Sequence, residues 1–214
     1  MSLGDRFWPA FFDLIGGPME KKEPIREGRR KLVAPAAGRV LEVGAGTGFN
    51  LPHYPEGVAD LTVTDGMDGM LRRATRRAGK LGREIVTTRA PVESLPFEDG
   101  SFDTVVASRL LCSVDNQDRA LAEIRRVLEP GGQYLFLEHV RSTDPKVARR
   151  QDRMEGIWGK IAMGCHPNRD TLPRIEQAFA VDEVERNEMP IGPKIVRPYV
   201  LGRALKQGQT PLGV

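Results

Sequence analysis

The fold is decided by Arg39-Val40-Leu41-Glu42-Val43-Gly44-Ala45-Gly46-Thr47-Gly48. Val40, Leu41 and Val43 are the apolar residues of a short strand that is covered on both faces. Three glycines at alternate positions then leave no Cβ between a ligand and the backbone, and they permit φ angles that other residues resist. The stretch predicts a buried strand that leads into a turn contacting a small molecule.

The spacing of these glycines narrows the choice of ligand. Dinucleotide sites have G-x-G-x-x-G, whereas this turn has G-x-G-x-G with Glu42 two residues before the first glycine. Asp65 follows about 20 residues later, where a doubly wound α/β domain places the acid that accepts ribose hydroxyls. The pattern favours an adenosine ligand without a pyrophosphate. The glycine turn alone is equally compatible with a plain strand-to-helix connection.

Length and composition indicate one globular domain. The chain has 214 residues, with 40% hydrophobic and 29% charged residues, and both fractions are ordinary for a soluble protein. No apolar run of about 18 residues predicts a transmembrane helix, and no secretory signal is recognisable. We therefore expect a cytoplasmic protein.

The two cysteines and the three histidines are dispersed along the sequence. Cys112 and Cys165 belong to no C-x-x-C pattern, and His53, His139 and His166 are distant from one another in sequence. This spacing predicts no metal site and no disulfide. Cys112 is better explained as a small buried residue than as a nucleophile.

The basic excess has a simple interpretation. The net charge of +3 comes with arginine clusters such as Arg72-Arg73 and Arg76-Arg77, at spacings typical of solvated helix faces. They match no nucleic-acid-binding module, so we expect a small-molecule partner and no nucleic acid. The oligomeric state is left open.

Strands alternate with helices along the chain, which predicts a doubly wound, mostly parallel sheet. Seven strands are predicted: 40–43, 61–64, 84–88, 104–108, 133–140, 181–189 and 194–205. The turn Pro190-Ile191-Gly192-Pro193 between the last two predicts an antiparallel hairpin at one edge. Ligands should bind beyond the carboxyl ends of the parallel strands.

The amino-terminal segment is rich in aromatic residues. Residues 6–15 contain Phe7, Trp8, Phe11 and Phe12, which we interpret as a helical lid over the ligand, with Gly16-Gly17-Pro18 as a flexible junction. A core-packed helix and a patch dipping into a membrane interface are the alternatives.

Three blocks carry a family resemblance: Leu95-Pro96-Phe97, Gly100-Ser101-Phe102-Asp103 and Arg126-Val127-Leu128-Glu129-Pro130-Gly131-Gly132. Together with the glycine turn, they resemble the class I S-adenosylmethionine (SAM) methyltransferases of the ubiquinone/menaquinone-biosynthesis type, over residues 38–205. The nearest likeness is to the methyltransferase-like thiol methyltransferases, through Leu111-Cys112-Ser113-Val114, Phe136-Leu137-Glu138-His139-Val140 and Gly164-Cys165. The resemblance implies a Rossmann-like SAM-dependent methyltransferase domain over 36–214, and the aromatic segment predicts a helical lid or cap over 1–35 before it.

The resemblance also implies a set of SAM-binding residues along the strand ends: Glu42, Gly44, Ala45, Gly46, Gly48, Asp65, Gly66, Met67, Val92, Glu93, Ser108, Arg109 and Leu110. Asp65 would accept the ribose hydroxyls, Met67 would flank the adenine, and Glu93 would meet its edge. The chain departs from the family at Ser94, where a second acid is common, and at Gly66-Met67, which replaces a turn containing proline.

Methyl transfer from a sulfonium is an in-line displacement that depends mainly on holding donor and acceptor together in a dry pocket. A protonated acceptor gains from a base, and His139 at the end of the fifth strand is our candidate, with His166 second. A structural histidine is an equally good interpretation of His139 and a better one of His166. The predicted acceptor pocket draws on aromatic and neighbouring side chains: Phe7, Trp8, Phe11, Phe12, Trp158, Met163, His166 and Tyr199.

The expected function is methyl transfer from SAM, with S-adenosylhomocysteine as product and no metal, to a small apolar acceptor. A thiol, a quinone precursor and an amine lipid headgroup are the acceptor classes. The alternatives are a non-catalytic SAM-fold binding protein and, less well supported by the glycine spacing, an NAD(P)-dependent oxidoreductase. Peripheral membrane contact is a separate expectation from the aromatic terminus and the basic excess.

Overall fold

The computed structural model describes residues 3–207. Its strands are β1 (Val40–Val43), β2 (Leu61–Asp65), β3 (Val86–Arg89), β4 (Phe102–Ser108), β5 (Leu128–His139), β6 (Ala180–Glu188) and β7 (Pro198–Leu205). They form one seven-stranded sheet with the order β3-β2-β1-β4-β5-β7-β6. Strands β1 to β5 pair in parallel, and β7 runs antiparallel to both β5 and β6. The predicted sheet and its antiparallel last strand are confirmed.

Helices cover both faces of this sheet. They are α1 (Leu3–Glu20), α2 (Glu23–Val33), α3 (Asp68–Leu81), α4 (Gln117–Val127), α5 (Pro145–Ile161) and α6 (Thr171–Ala178). One core packs α4 and α6 against Val105, and the other packs α2 and α3 against Val106. Successive residues of β4 therefore face opposite cores, as expected of a central strand. Within residues 3–207, no helix combines the length and apolar character needed to cross a bilayer.

Several element boundaries differ from the predicted ones. A helix is predicted over residues 121–128, but α4 begins four residues earlier, at Gln117, because the side chain of Asn116 caps it by accepting the Arg119 amide at 3.0 Å. Strand β5 extends back to Leu128, and β3 begins at Val86 rather than Glu84. Strand β7 begins only at Pro198, because Lys194–Val196 forms a short 3-10 turn.

The amino-terminal helix contradicts the predicted junction. Helix α1 runs unbroken through Gly16-Gly17-Pro18, and the chain turns at residues 21–22 instead. A Cβ at Gly16 would lie 3.2 Å from the Phe49 ring, so this glycine permits close packing rather than a hinge. The first half of α1 packs on α3, where the Asp5 carbonyl lies against Gly69. The division into a cap over 1–35 and a methyltransferase domain over 36–214 stays a prediction. Residues 1–2 of the cap and 208–214 of the domain lie outside the described residues.

Candidate active site

The glycine turn follows β1 in a conformation that requires glycine. Gly44, Gly46 and Gly48 have φ angles of +62°, +57° and +82°. These are left-handed values, at which a Cβ costs about 1–2 kcal/mol. The Ala45 amide donates to the Thr64 carbonyl at 2.9 Å, which fixes the turn to β2.

Asp65 connects this turn to helix α3. Its Oδ2 accepts the Gly46 amide and its Oδ1 accepts the Met67 amide, both at 2.9 Å. Burial raises the pKa of Asp65, and the two backbone hydrogen bonds oppose that shift. A carboxylate oxygen has lone pairs for more than one donor, so Asp65 retains acceptor capacity for a ligand hydroxyl.

The backbone around Asp65 leaves room for a nucleoside. A Cβ at Gly46 would meet only the Phe12 ring, at 3.6 Å, and a Cβ at Gly66 would meet nothing within 4 Å. A Cβ at Gly44 would instead collide with the Leu110 side chain, 2.5 Å from Leu110 Cδ1. The turn is therefore open on the side of Asp65 and covered by Leu110 near β4, and the residues present fit an adenosine cofactor.

Glu42 lies beneath the turn and is almost fully buried. Its carboxylate accepts hydrogen bonds from the Asn50 amide and the Tyr54 hydroxyl, each at 2.8 Å. Burial raises the pKa of Glu42 to about 7, although both hydrogen bonds favour the charged form. Glu42 thus holds the segment after the turn in place.

A buried ion-pair chain joins this segment to the first two helices. Glu20 accepts hydrogen bonds from the Arg29 guanidinium at 2.5 and 2.6 Å and from Arg109 at 3.2 Å. Arg29 also donates to Asn50 Oδ1 at 2.5 Å. Burial raises the pKa of Glu20, but the two arginines outweigh it and leave a net lowering.

Sequence reasoning missed Glu20 and Arg29. The available signal was Arg29 itself, which shares the buried face of α2 with Ile25 and Leu32 at helical spacing. An arginine on such a face needs a buried partner.

The carboxyl ends of β4 and β5 are joined by a second buried carboxylate. Glu138 is fully buried and accepts the amides of Leu110 at 2.9 Å, Leu111 at 3.0 Å and Cys112 at 3.3 Å. Burial raises the pKa of Glu138 to about 7 against these three bonds. Arg109, in the same turn, has a positive φ of 56° and donates its amide to the Leu137 carbonyl. Sequence reasoning placed residues 108–110 at this edge but did not assign Glu138 a role.

Val92 and Glu93 lie on the loop after β3. Val92 is buried in the core around α4, whereas Glu93 is partly exposed. The Glu93 carboxylate accepts the Asp115 amide at 3.1 Å, and its carbonyl accepts a hydrogen bond from Arg119 at 2.8 Å. The loop is thereby fixed beside the start of α4.

The predicted acceptor-pocket residues fall in separate places. Ring contacts join Phe7, Trp8 and Phe11 to one another, with centroids 5.3 to 5.9 Å apart, and Phe12 to Phe49 at 5.6 Å. In the part of the chain that the structure describes, no ring contact links them to Trp158 or Tyr199, which lie on α5 and β7. Ser108, at the end of β4, and Met163, just after α5, are partly exposed.

The two histidine candidates have different surroundings. The His166 ring pairs with the Glu155 carboxylate at 2.5 Å, as expected of a structural histidine. His139 Nδ1 lies 3.8 Å from Cys112 Sγ and 3.6 Å from Cys165 Sγ. The structure thus brings together two cysteines and a histidine that are dispersed in the sequence, and a catalytic role for His139 stays a prediction.

Comparison with known proteins identifies the family of this fold. The profile of a family described as "Methyltransferase domain" matches residues 41–136. Thiol S-methyltransferase TMT1B of Homo sapiens is 34% identical over 194 residues, covering 88% of this chain and 80% of that protein. Ubiquinone/menaquinone biosynthesis C-methyltransferase UbiE of Bordetella avium is 32% identical over 177 residues, covering 72% of this chain and 68% of that protein.

A solved structure supports the fold independently. A SAM-dependent methyltransferase of Thermotoga maritima, described as a possible histamine N-methyltransferase, superposes with a TM-score of 0.68 at 18% identity, covering 95% of this chain and 98% of that one. The strand order, the glycine turn with its acid, and these similarities agree. The chain belongs to the class I SAM-dependent methyltransferases, in the group that contains the thiol S-methyltransferases and the UbiE C-methyltransferases.

Proposed function

We propose that this protein transfers the methyl group of SAM to the sulfur of a small, rather apolar thiol. The observation that carries the choice of acceptor is the 34% identity to a thiol S-methyltransferase across 80% of that protein. This similarity spans 194 aligned residues and so extends well beyond residues 41–136, to which the family profile is confined.

The cofactor is proposed to lie along the carboxyl edge of β1, β2 and β4. Asp65 accepts the ribose hydroxyls, and Gly44–Gly48 contact the ribose and methionine portions. Met67, with Val92 and Glu93, borders the adenine, and Ser108–Leu110 border the methionyl end. Asp65 supports this placement, because its carboxylate is already fixed by the Gly46 and Met67 amides.

When bound, SAM supplies an electrophilic methyl group on a sulfonium. The chain's own residues orient the acceptor for in-line attack and exclude water. The thiol sulfur forms the new bond to carbon, the bond from the methyl carbon to the sulfonium sulfur breaks, and the thiol proton leaves to a base or to solvent. The products are a methyl thioether and S-adenosylhomocysteine.

Matched acceptors test this function. SAM and S-adenosylhomocysteine should bind saturably in calorimetry, and NADH should not. Turnover should then be measured with an apolar thiol, its alcohol analogue, a quinone precursor and an amine headgroup. Methylation of the thiol, without methylation of the other three acceptors, supports the proposal. Preference for another acceptor overturns the thiol assignment, and binding without turnover of any acceptor favours a non-catalytic SAM-binding protein.

Location and membrane contact belong to the same proposal. A cytoplasmic location is supported by Cys112 and Cys165, which are neighbouring free thiols of the kind that a reducing compartment maintains. Peripheral membrane contact is supported by Phe7, Leu14 and Ile15, which α1 exposes to solvent. Co-sedimentation with anionic vesicles at low salt tests the contact, and no binding there would exclude it, because electrostatic attraction is strongest at low salt.

A further inference from the structure

Three side chains that can bind a metal ion, two thiols and one imidazole, meet at the carboxyl ends of β4 and β5. Cys112 follows β4, His139 ends β5, and Cys165 lies in the loop after α5. The two Sγ atoms are 3.7 Å apart, and His139 Nδ1 lies 3.8 Å from the first and 3.6 Å from the second. Both cysteines are buried, and His139 is partly exposed.

The backbone holds these three residues independently of their side chains. The Cys112 amide donates to the buried carboxylate of Glu138, and His139 is the residue that follows Glu138 in the sequence. The His166 amide donates to the Cys112 carbonyl at 2.7 Å, which brings the neighbouring Cys165 to the same place. The cluster is therefore a product of the fold and not of a chance contact between flexible side chains.

The three separations match a single tetrahedral metal ion. Zinc–sulfur bonds of about 2.3 Å and zinc–nitrogen bonds of about 2.0–2.1 Å, at tetrahedral angles, place two sulfurs about 3.8 Å apart and sulfur and nitrogen about 3.6 Å apart. The measured separations are 3.7, 3.8 and 3.6 Å. Thiolate and imidazole ligands select Zn²⁺ over Mg²⁺, Ca²⁺ or Mn²⁺.

We propose that Cys112, His139 and Cys165 bind one Zn²⁺ ion and leave its fourth coordination position open to an exogenous thiolate. Across residues 3–207, no fourth histidine, cysteine or acidic side chain joins this group. Three protein ligands with one open position are the pattern of catalytic zinc sites, whereas structural sites are closed by four.

The site lies beside the glycine turn, Gly44–Gly48. The Leu110 side chain covers Gly44, and Leu110 and Cys112 donate their amides to the same Glu138 carboxylate. The choice of a thiolate as fourth ligand rests on the proposed function. The acceptor thiol loses its proton to solvent on binding zinc, and its sulfur then donates an electron pair to the methyl carbon of SAM. The sulfonium bond to that carbon breaks, the thioether leaves the zinc, and no oxidant or reductant is required.

This assignment gives His139 a role other than the predicted base. With Nδ1 on the metal, its imidazole cannot accept the acceptor's proton through that atom. Coordination replaces the base, because a metal-bound thiol is deprotonated outright.

Metal content of the reduced protein is the first measurement. We expect one Zn²⁺ per chain, and Co²⁺ uptake by the metal-free protein should give the visible absorption of a tetrahedral site together with thiolate charge-transfer bands. Cys112→Ser, Cys165→Ser and His139→Asn should each weaken Zn²⁺ binding more than about 100-fold, beyond the loss typical of outer-shell changes. His53→Asn, a histidine outside the cluster, is the matched control and should leave Zn²⁺ binding unchanged.

Two further readouts keep the test decisive if a variant folds poorly. Zn²⁺ should raise the Tm of the wild-type protein, since a ligand that binds only the native state stabilises it. SAM binding, measured separately, reports whether each variant retains its cofactor site. A reduced wild-type protein that binds SAM but neither Zn²⁺ nor Co²⁺ overturns the metal site, as does a Cys112–Cys165 disulfide whose reduction does not restore metal uptake.

The open position is tested on the Co²⁺ protein. An apolar thiol should shift the visible bands, and its alcohol analogue should not. Unchanged bands with the metal retained overturn the open position, and full thiol methylation by metal-free protein overturns the activating role. Failure of the proposed function has a different signature: the bands shift with thiol, but no thioether forms when SAM is bound.

Discussion

The glycine turn and the Cys112–His139–Cys165 cluster each lie against a carboxylate, that of Asp65 and that of Glu138, but they are assembled differently. The turn is continuous in sequence from Gly44 to Gly48, and Asp65 connects it to the start of α3 by accepting the amides of Gly46 and Met67. The cluster takes one side chain from each of three segments, separated by 27 and 26 residues. The glycine turn is therefore specified locally, whereas the cluster is specified by the sheet and its crossovers.

This difference determines what each of the two regions tolerates. Substitution of Asp65 should act mainly on ligand binding, because its carboxylate accepts only two backbone amides, those of Gly46 and Met67. Substitutions that release the turn after β4 should act on folding as well, because Glu138 accepts three successive amides of that turn.

Loss of the Glu138 carboxylate should have the largest effect. Glu138→Ala leaves three buried amides without an acceptor, and at about 1–3 kcal/mol each the free energy of unfolding should fall by at least about 3 kcal/mol. Urea denaturation measures this. Glu138→Gln is the control, since it keeps one acceptor oxygen and should cost less. Equal, small losses of unfolding free energy in both variants would mean that water replaces the carboxylate and that Glu138 does not hold the turn after β4.

Loss of the Asp65 carboxylate should come next and should affect binding more than folding. Asp65→Ala removes the acceptor for the Gly46 and Met67 amides and for the ribose, so we expect about 100-fold weaker SAM binding in calorimetry, equivalent to about 2.7 kcal/mol. Asp65→Asn keeps one acceptor oxygen, so its SAM affinity should lie between those of the wild-type protein and Asp65→Ala. Unchanged affinity in a folded Asp65→Ala protein would contradict the placement of the ribose.

The buried Glu42 should make stability depend on pH. Its folded pKa of about 7 lies above the usual 4.5, so the folded state holds the proton more tightly and stability falls as pH rises from about 4.5 to about 7. Glu42→Gln should remove on the order of 2 kcal/mol of that decrease between pH 5 and pH 8. Parallel pH profiles of unfolding free energy for wild type and variant would show that Glu42 is charged in the folded protein throughout.

Alanine substitutions at two glycines distinguish the effect of backbone strain from the effect of ligand contact. Gly44 and Gly82 have similar φ angles, +62° and +64°, but only at Gly44 does a Cβ collide with a side chain, that of Leu110. Each Gly→Ala change should cost about 1–2 kcal/mol of stability through φ alone. Only Gly44→Ala should also weaken SAM binding, by about 10-fold, equivalent to about 1.4 kcal/mol. Equal SAM affinities in both variants would show that the Gly44 backbone does not approach the cofactor.

The sequence predicted what is local and repetitive. The seven strands were predicted from the alternation of strands and helices along the chain. The pairing of the glycine turn with Asp65 was predicted from the number of residues between them. The Cys112–His139–Cys165 cluster was not predicted, because these residues become neighbours only when β4, β5 and the segment after α5 pack together. The predicted junction at Gly16 failed for a related reason, since the need for a small residue there comes from Phe49, a contact that local sequence does not contain.

The placement of Glu20 has a practical consequence for anyone who engineers this chain. Glu20 is the last residue of α1, and its carboxylate lies between the guanidinium groups of Arg29 and Arg109. A shortened version that begins after α1 would leave these two cations facing each other without their shared counter-ion, next to the glycine turn. A trimmed version should accordingly retain Glu20.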